Sequence, residues 1–393
     1  MPGITHAGPA IAHDGPMTDV IVIGGGIVGA AAAAFLAEAG AHVTLFDREG
    51  LASGASGANS GVVQHPLDPV LVPLYRETVA LYRDLTGMDA GFRLPDEVAG
   101  MLFLSRERSA AEAMATNFPD LATEIVAGAD LQALEPTLAP DLVACRVPIA
   151  YPVPPSTSTY AYATVAERRG VTVRLGREAT LAVEAGRVVG VRVDGSLVPA
   201  DRVLVAAGPW ASELIDPTGR WRPIRPLWGV VVETELADPP HHVVEEAEID
   251  AVIGSESGGS GTPIGDDAPD TPDFSLITAG GVSVVGSTFL DTEPDPADWI
   301  EPLLIRAGSF VPGVLDAPIR GVRACARPMA LDGRPLIGPV PGIDGLFICA
   351  GHGPWGISTG PASARQVVDQ ILGRPVSVAP ELDAARFGSP YER

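Results

Sequence analysis

The sequence predicts an α/β fold joined to an α+β region in which strands dominate. A β-branched run at 19–23, an alanine-rich helix at 27–39 and an alternating strand at 42–46 form a βαβ unit. Strand-like segments predominate between 225 and 320, and α/β alternation returns from 319 to 372. Because 393 residues exceed a typical single core, we expect two structural units, or one unit that carries a large insertion.

The other elements follow from the same periodicities. Apolar residues at helical spacing predict helices, and β-branched runs beside glycine or aspartate turns predict strands. The predicted helices lie at about 70–85, 156–169, 296–310 and 357–372, and the predicted strands lie at 171–174, 202–206, 319–327 and 346–350, with hairpin-like runs around Gly186 and Gly195. Strand-like and helical pieces also alternate up to about residue 147.

The charge of the chain makes nucleic acids and anionic membrane surfaces poor partners. There are 49 acidic and 26 basic residues, and all of the basic ones are arginine, so the net charge is −23. Such a field repels phosphate backbones and anionic lipids. We therefore expect neither a nucleic acid partner nor a membrane-surface role, and the charge favours solubility. We also expect no membrane insertion, because no apolar run reaches the length needed to span a bilayer.

Cysteine usage and the N-terminal sequence indicate a cytoplasmic protein. Cys145, Cys325 and Cys349 are widely spaced and form no CxxC pair, so neither a disulfide framework nor a zinc site is predicted. The first sixteen residues lack the basic start and apolar centre of a secretory signal. We expect residues 1–16 to form a disordered extension.

A glycine-rich turn between the first strand and the first helix predicts a dinucleotide site. Gly24, Gly26 and Gly29 form GxGxxG, in which the first permits a tight turn, the second lets the backbone approach a pyrophosphate, and the third lets helix pack on strand. The phosphates would lie at the helix N-terminus, where free N–H groups and the helix dipole favour anions. Asp47 ends the second strand, 18 residues beyond Gly29, and its carboxylate can accept hydrogen bonds from ribose hydroxyls.

The segment after the second strand favours FAD over NAD. An NAD-dependent dehydrogenase normally continues with regular βα units, whereas residues 52–61 read ASGASGANSG. Small residues with hydroxyls suit a chain that wraps closely around an extended cofactor.

The order and spacing of four segments resemble the D-amino acid oxidase family of FAD proteins, which includes the glycine and sarcosine oxidases. The segments are DVIVIGGGIVGAAAAAFLAEAGAHVTLFDRE, then ASGASGANSGVV, then VLVAAGPWASEL, and finally RPMALDGRPLIGPVPGIDGLFICAGHGPWGISTGPASARQVVDQIL. The resemblance covers most of 19–372, is weak at about 94–148 and is absent at 254–273.

The resemblance implies a Rossmann-like FAD-binding domain of the glutathione reductase type, assembled from three segments, and an α+β substrate domain on a mixed or antiparallel sheet. The expected FAD-binding domain comprises 17–93, 148–222 and 318–376, the substrate domain comprises 94–147 and 223–317 with a flexible insertion at 254–273, and 377–393 form a tail.

The resemblance, together with the glycine motif, also implies a set of cofactor-binding positions. Those near the N-terminus are Gly24, Gly26, Ile27, Val28, Gly29, Asp47, Arg48, Ala55, Ser56, Asn59, Ser60, Gly61 and Val62. Those further along are Ala207, Gly208, Trp210, Cys325, Gly351, His352, Gly353, Pro354, Trp355, Gly356 and Ile357. Backbone N–H groups at 351–357, where the last helix begins, can face the flavin N1 and C2 carbonyl and stabilise the reduced anion. Trp210 also fits simple core packing.

Arg327 is the predicted substrate residue. In the glycine and D-amino acid oxidases the arginine before proline in this strand binds the substrate carboxylate, and here Arg327-Pro328 is followed by the expected Asp332-Gly333. A guanidinium pairs both carboxylate oxygens at once and so fixes the α-carbon over the flavin N5. The family reaction would then oxidise the C–N bond of a small amino acid or secondary amine by hydride transfer to N5, giving an imine that hydrolyses. A surface ion pair is the competing interpretation of Arg327.

Three departures from the family limit the transfer of one named activity. Pro354 occupies the place of a second arginine of glycine oxidases, and the chain has no lysine to match the one that activates oxygen in sarcosine oxidases. Cys325 matches the cysteine that holds flavin covalently in monomeric sarcosine oxidases, so covalent attachment is one hypothesis and a buried unreactive thiol is the other.

Several functions therefore stay open. The electron acceptor is oxygen or another molecule, and the chain is a free enzyme or the FAD subunit of a larger complex. A 2-hydroxy acid dehydrogenase of the same superfamily is a further alternative, because Arg327 recognises a carboxylate and not an amine. The substrate and the oligomeric state are not identified by the sequence.

Overall fold

The computed structural model describes residues 18–247 and 272–390 of the chain. The expected extension at 1–16 lies outside them, as does the expected insertion at 254–273 except for its last two residues. In chain order the helices are α1 (Ile27–Glu38), α2 (Ala55–Ala58), α3 (Val72–Gly87), α4 (Arg108–Ala115), α5 (Gly128–Leu134), α6 (Thr157–Arg168), α7 (Ala211–Ile215), α8 (Ile300–Gly308) and α9 (Gly356–Ile371).

The strands fall into two large sheets and two small ones. In chain order they are β1 (Asp19–Ile23), β2 (His42–Asp47), β3 (Val62–Val63), β4 (Met101–Ser105), β5 (Glu124–Ala127), β6 (Val143–Val147), β7 (Tyr151–Pro152), β8 (Thr172–Leu175), β9 (Ala179–Glu184), β10 (Arg187–Val193), β11 (Ser196–Pro199), β12 (Arg202–Val205), β13 (Ile224–Thr234), β14 (Val243–Glu246), β15 (Ser275–Ala279), β16 (Val282–Gly286), β17 (Ile319–Ala330), β18 (Leu336–Pro339) and β19 (Leu346–Ala350).

The first large sheet has the order β18-β19-β12-β1-β2-β8 and is parallel except for the β18–β19 pair. Helices α6 and α9 each pack against α1, which contributes a run of fully buried alanines at 30–34. These small side chains let the helices approach closely, and the helices and sheet share one hydrophobic core.

The second large sheet is mixed, with the order β17-β13-β16-β15-β14-β4-β6-β5, and only the β14–β4 pair is parallel. One face packs on α8 in a core that includes Phe274 and Phe310, and the other face packs on α4 through Phe103 and Met114. The α/β unit with a mixed-sheet α+β unit that the sequence predicts is confirmed.

Most predicted elements are found within two residues of their expected bounds. The predicted helix at 296–310 is instead divided into a 3₁₀ turn, Pro296–Trp299, and α8. Strand β17 also departs from the expected grouping, since it pairs with β13 in the mixed sheet although the sequence analysis groups 318–376 with the cofactor-binding segments. The domain division itself stays a prediction. Within the part of the chain that the structure describes, no helix is both long and apolar enough to span a bilayer.

Candidate active site

A cavity of about 740 Å³ opens where the parallel strands end. The residues at the carboxyl ends of β1, β2, β12 and β19 line it, and the opposing wall comes from β13, β14, β15 and β17 of the mixed sheet. Ligands of open α/β sheets bind in this position, outside the carboxyl ends of the strands. The cavity is therefore the candidate site for both cofactor and substrate.

The turn from β1 into α1 is built by glycines at two points of close contact. Gly24 has φ +116°, and a Cβ there would meet the carbonyl oxygen of Ala206 at 2.3 Å. A Cβ on Gly29 would meet the carbonyl oxygen of Gly24 at 1.9 Å. Gly29 does not line the cavity. Its close contact with the turn fits the prediction that this glycine lets the helix pack on the strand. Gly24 and Gly29 together allow α1 to begin directly against the sheet.

The N-terminus of α1 faces the cavity. Gly26, at the N-cap, has no side chain to occupy the space in front of the helix, and a Cβ there would stand 3.0 Å from the Ser56 hydroxyl. The backbone N–H of Ile27 donates to the same hydroxyl over 2.9 Å. The exposed helix end and a hydroxyl beside it form a cradle suited to a pyrophosphate.

Asp47 ties the end of β2 to this turn. Its Oδ2 accepts from the backbone N–H of Gly25 at 2.7 Å, and its Oδ1 accepts from Glu49 and Gly50 at 2.8 Å each. A carboxylate has about four acceptor positions, so capacity for one hydroxyl remains. The neighbouring Arg48 stacks on Trp210, 4.2 Å from the ring centroid, at the cavity wall.

The loop after β2 is held in shape by Asn59. Its Nδ2 donates to the carbonyl of Ser56 over 2.7 Å, while its Oδ1 accepts from the backbone N–H of Gly61 over 2.9 Å. Gly61 has φ +89°, and a Cβ there would meet the carbonyl oxygen of Val153 at 2.6 Å. The Asn59 side chain therefore stabilises the loop's own turns, whereas the Ser56 hydroxyl lies at the start of α1.

His352 lies where β19 ends, before the 3₁₀ turn Gly353–Trp355 that leads into α9. It is buried, and its Nε2 has no hydrogen-bond partner among the residues that the structure describes. Burial lowers the pKa of His352 to about 4, so the ring is neutral at neutral pH. The neutral His352 ring therefore supplies no positive charge at the cavity, and its Nε2 has unused hydrogen-bonding capacity among the described residues.

Arg327 reaches into the cavity from β17. Its Nη1 donates to the carbonyl of Thr288 over 2.8 Å, its Nη2 donates to the Ser287 hydroxyl, and the guanidinium stacks over Phe289 at 4.4 Å. Within the described residues no carboxylate lies at ion-pair distance, and the Asp273 carboxylate acts on Arg327 from further away, so the geometry does not show a surface ion pair. Burial lowers the pKa of Arg327, which remains a cation at neutral pH. The guanidinium is therefore available to an anionic ligand.

Gly229 on β13 makes room for that guanidinium. A Cβ there would lie 2.4 Å from both Nη atoms of Arg327. Sequence reasoning missed Gly229, because a glycine inside a strand signals close approach without saying of what.

Cys325 lies two residues before Arg327, on the same face of β17, and also lines the cavity. Its Sγ is 3.8 Å from the carbonyl oxygen of Ala58. Burial raises the pKa of the thiol, against the lowering effect of Arg327 and Arg323. Arg323 itself pairs with Glu233 and donates to the Asn59 carbonyl over 2.9 Å.

The cavity collects the cofactor-binding positions predicted from sequence, with Gly29 and Gly351 as the two exceptions. Those that line it are Gly24, Gly26, Ile27, Val28, Asp47, Arg48, Ala55, Ser56, Asn59, Ser60, Gly61, Val62, Ala207, Gly208, Trp210, Cys325, His352, Gly353, Pro354, Trp355, Gly356 and Ile357. Gly351 stands behind the wall with φ +89°, where a Cβ would meet that of Ala330 at 3.2 Å. Trp210, 37% exposed, is not a core residue.

The lining also contains residues that sequence reasoning did not select, including Gln64, Gly229, Glu245, Ser275, Ser287 and Phe289. Besides the glycine within a strand at Gly229, the sequence holds a signal for Glu245. Two adjacent glutamates in an apolar strand must face opposite sides, so one carboxylate of the pair 245–246 has to face each side of the sheet.

Comparison with known proteins agrees with this geometry. The family model described as DAO, FAD dependent oxidoreductase, matches residues 19–370. A glycine oxidase of Pseudomonas putida is 26% identical, over 92% of this chain and 98% of the relative. A D-amino acid dehydrogenase of Rhizorhabdus wittichii is 25% identical, over 90% of this chain and 96% of the relative.

Among solved structures, glycine oxidase from Bacillus cereus is similar with a TM-score of 0.74 and 25% identity, covering 91% of this chain and 96% of that one. The glycine cradle at the start of α1, the shared cavity and the family match agree with one another. This chain belongs to the DAO family of FAD-dependent oxidoreductases.

Proposed function

We propose that this enzyme oxidises the C–N bond of a small amino acid or secondary amine to an imine, which water hydrolyses to a carbonyl compound. The observation that carries the proposal is Arg327, a cavity-lining guanidinium whose hydrogen-bond partners among the described residues are neutral, with the Asp273 carboxylate beyond ion-pair distance. Two of its five N–H groups are used by Ser287 and Thr288, which leaves donors for a substrate carboxylate. The likeness to a glycine oxidase and a D-amino acid dehydrogenase supports the same substrate class.

The residues of the cavity fit FAD. We propose that the N-terminus of α1 with Gly26 and Ser56 holds the pyrophosphate, and that Asp47 accepts a ribose hydroxyl. We assign the 55–62 loop, Cys325 and the 352–357 turn to the isoalloxazine end. FAD, when bound, supplies the two-electron acceptor that no protein side chain can provide.

The chain's own contribution to the reaction would be to orient the substrate and exclude water. Arg327 would hold the carboxylate in a fixed plane, because Phe289 stacks on the guanidinium and Ser287 and Thr288 fix its edge. His352 is neutral, so it can hydrogen-bond without adding charge beside the cofactor. No nucleophilic side chain is needed for this chemistry.

An anaerobic substrate panel tests this proposal. FAD-loaded protein is mixed with amino acids of both configurations, N-methyl amino acids and 2-hydroxy acids, and the loss of flavin absorbance is followed. We expect bleaching by amino or N-methyl amino acids. Bleaching by 2-hydroxy acids alone would replace the proposal with a hydroxy acid dehydrogenase, and no bleaching by any compound would reject both.

The amino-acid composition helps to decide whether oxygen or another molecule accepts the electrons. The chain contains no lysine, the residue that activates oxygen in the sarcosine oxidases that it resembles. A dehydrogenase that passes electrons to another acceptor is therefore the second candidate. A peroxidase-coupled assay decides between them, since hydrogen peroxide forms in proportion to product only if oxygen is the acceptor.

The position of Cys325 supports covalent attachment of the flavin through this residue, whereas the protonated state of its thiol argues against it. The thiol lines the cavity beside Arg327, but burial raises its pKa, and the thiolate is the reactive form. Denaturation followed by gel filtration tests it, because flavin colour that stays with the unfolded chain shows a covalent bond and colour that leaves it excludes one.

A further inference from the structure

Glu245 is a buried carboxylate that faces the cavity and takes no part in the function proposed above. It lies on β14, is 8% exposed, and lines the cavity together with Gln64 and Ser275. Its hydrogen-bond partner is the Nε2 of Gln64, at 3.3 Å. Gln64 is itself anchored, because its backbone N–H donates to the Ser358 hydroxyl over 2.9 Å. The carboxylate is therefore held in place by a neutral neighbour.

The next residue along the strand shows what Glu245 lacks. Glu246 faces the other side of the sheet, where Arg306 forms an ion pair with it. Glu245 has no cationic partner among the residues that the structure describes, and burial raises its pKa to about 7. Burial of a carboxylate without a positive partner is costly, so such a group at a cavity wall suits a cation that arrives with a ligand.

The distance between Glu245 and Arg327 decides which part of a substrate could reach the carboxylate. The Arg327 guanidinium lies over Gly229 of β13 and hydrogen-bonds to residues just beyond β16, whereas Glu245 is on β14. The sheet order β13-β16-β15-β14 puts two to three strand spacings between the two groups, about 10–14 Å across the sheet. The register adds an offset along the strands, because Glu245 is level with Val231 and the guanidinium lies over Gly229.

The head group of an amino acid is too short to bridge this gap. Two hydrogen bonds of about 2.9 Å and a carboxylate-to-amine span of about 3 Å total about 9 Å. A positive group several bonds further along the substrate would reach Glu245 while the carboxylate stays on Arg327. The net charge of −23 also favours the approach of cationic substrates.

We propose that Glu245 receives the positively charged end of the substrate side chain, so that the preferred substrates are amino acids with a basic side chain. Arg327 and Glu245 then bind the two ends of one molecule, and Gln64 positions the Glu245 carboxylate. This inference rests on the proposed function, because it assumes that Arg327 binds the substrate carboxylate.

A matched pair of ligands that cannot be oxidised at an α-amino carbon tests the recognition directly. Isothermal titration of FAD-loaded protein would compare 6-aminohexanoate, which carries a carboxylate and a distal amine, with hexanoate, which lacks the amine. We expect the amine to tighten binding roughly tenfold or more. Equal affinity of the two ligands for the unmodified protein would overturn the inference without the need for any variant.

Turnover supplies the second readout. Anaerobic flavin reduction by lysine and ornithine of both configurations would be compared with reduction by norleucine, which has a neutral side chain of similar length. We expect kcat/KM to favour the basic substrates roughly tenfold or more, and Glu245→Gln to abolish that preference. The control Glu301→Gln removes the same charge from an exposed position on α8 and should keep the preference.

The failures are distinguishable. If norleucine and basic amino acids reduce the flavin equally well, the role of Glu245 is rejected and the proposed function stands. If Glu245→Gln retains the full preference for basic substrates, the cation is read elsewhere and the inference is again rejected. If no amino acid reduces the flavin, both are rejected together.

Discussion

The two ends of the cavity are built in different ways. At the α1 end the ligand-facing surface is mainly backbone shaped by glycines, with the Asp47 carboxylate and the Ser56 hydroxyl beside it, all within a single stretch of chain from Gly24 to Gly61. At the mixed-sheet end it is made of side chains, notably Gln64, Glu245, Phe289 and Arg327, which come from segments far apart in sequence. The first end suits a ligand common to a whole family, and the second suits a ligand particular to this protein.

The difference explains what each end tolerates. Backbone at the α1 end leaves no room for a Cβ, so a small change there should remove the cofactor altogether. Side chains at the mixed-sheet end can be exchanged while the fold persists, so changes there should alter substrate binding and leave the flavin in place. Substitutions at both ends of the cavity test that contrast.

Gly29→Ala is expected to abolish flavin binding. The added Cβ would meet the carbonyl oxygen of Gly24 at 1.9 Å, a backbone contact that only a displacement of α1 can relieve. The measurement is flavin absorbance per mole of purified protein. Gly50→Ala is the matched control, since nothing lies within 4 Å of a Cβ there, and it should keep its flavin. Flavin content equal in the two variants would contradict the steric account.

We expect the free energy of unfolding of Glu245→Gln to increase relative to that of the parent protein as the pH rises. The folded pKa of about 7 lies above the ordinary glutamate pKa of 4.5, so the folded state holds an extra proton between these values. Stability of the parent is therefore lost as the pH rises through this window, by up to about 3 kcal/mol, and Gln has no proton to lose. Urea unfolding at pH 5 and pH 8 measures it, and an unchanged difference between the two proteins at both pH values would refute it.

Gly229→Ala is expected to weaken substrate binding without loss of flavin. The new methyl group would overlap the Arg327 guanidinium at 2.4 Å, and the flexible arginine would shift away from its partners at 287–288. We expect KM for a carboxylated substrate to rise about tenfold, the scale of one lost charged hydrogen bond. Gly321→Ala, where a Cβ would stand 3.5 Å from Glu233, serves as the control.

The sequence predicts the fold and the α1 end of the site well, because both depend on local pattern. Strand, turn and helix follow one another within 19–47, and the acid at Asp47 completes the unit. Strand β19 and helix α9 are also predicted within a residue or two, because each has a clean periodicity and a glycine at its boundary.

The mixed-sheet end is predictable only in part. Arg327 is found through its resemblance to a family position, but nothing in its own segment indicates that Gly229 lies beneath it. Glu245 acquires its surroundings from the strand order β13-β16-β15-β14 and from Gln64, almost two hundred residues earlier in the chain. Such neighbours are set by long-range pairing, which a single sequence does not reveal.

The proposed function depends on Arg327 binding the carboxylate of the substrate at an FAD site. The most direct test is kcat/KM for the best carboxylated substrate in Arg327→Met, with Arg320→Met, an exposed arginine on the same strand, as control. We predict a fall of about thirtyfold or more for Arg327→Met, as for the loss of one partner of a buried charge pair, with flavin content retained and the control unchanged. Equal kcat/KM in both variants, with flavin bound, would contradict it.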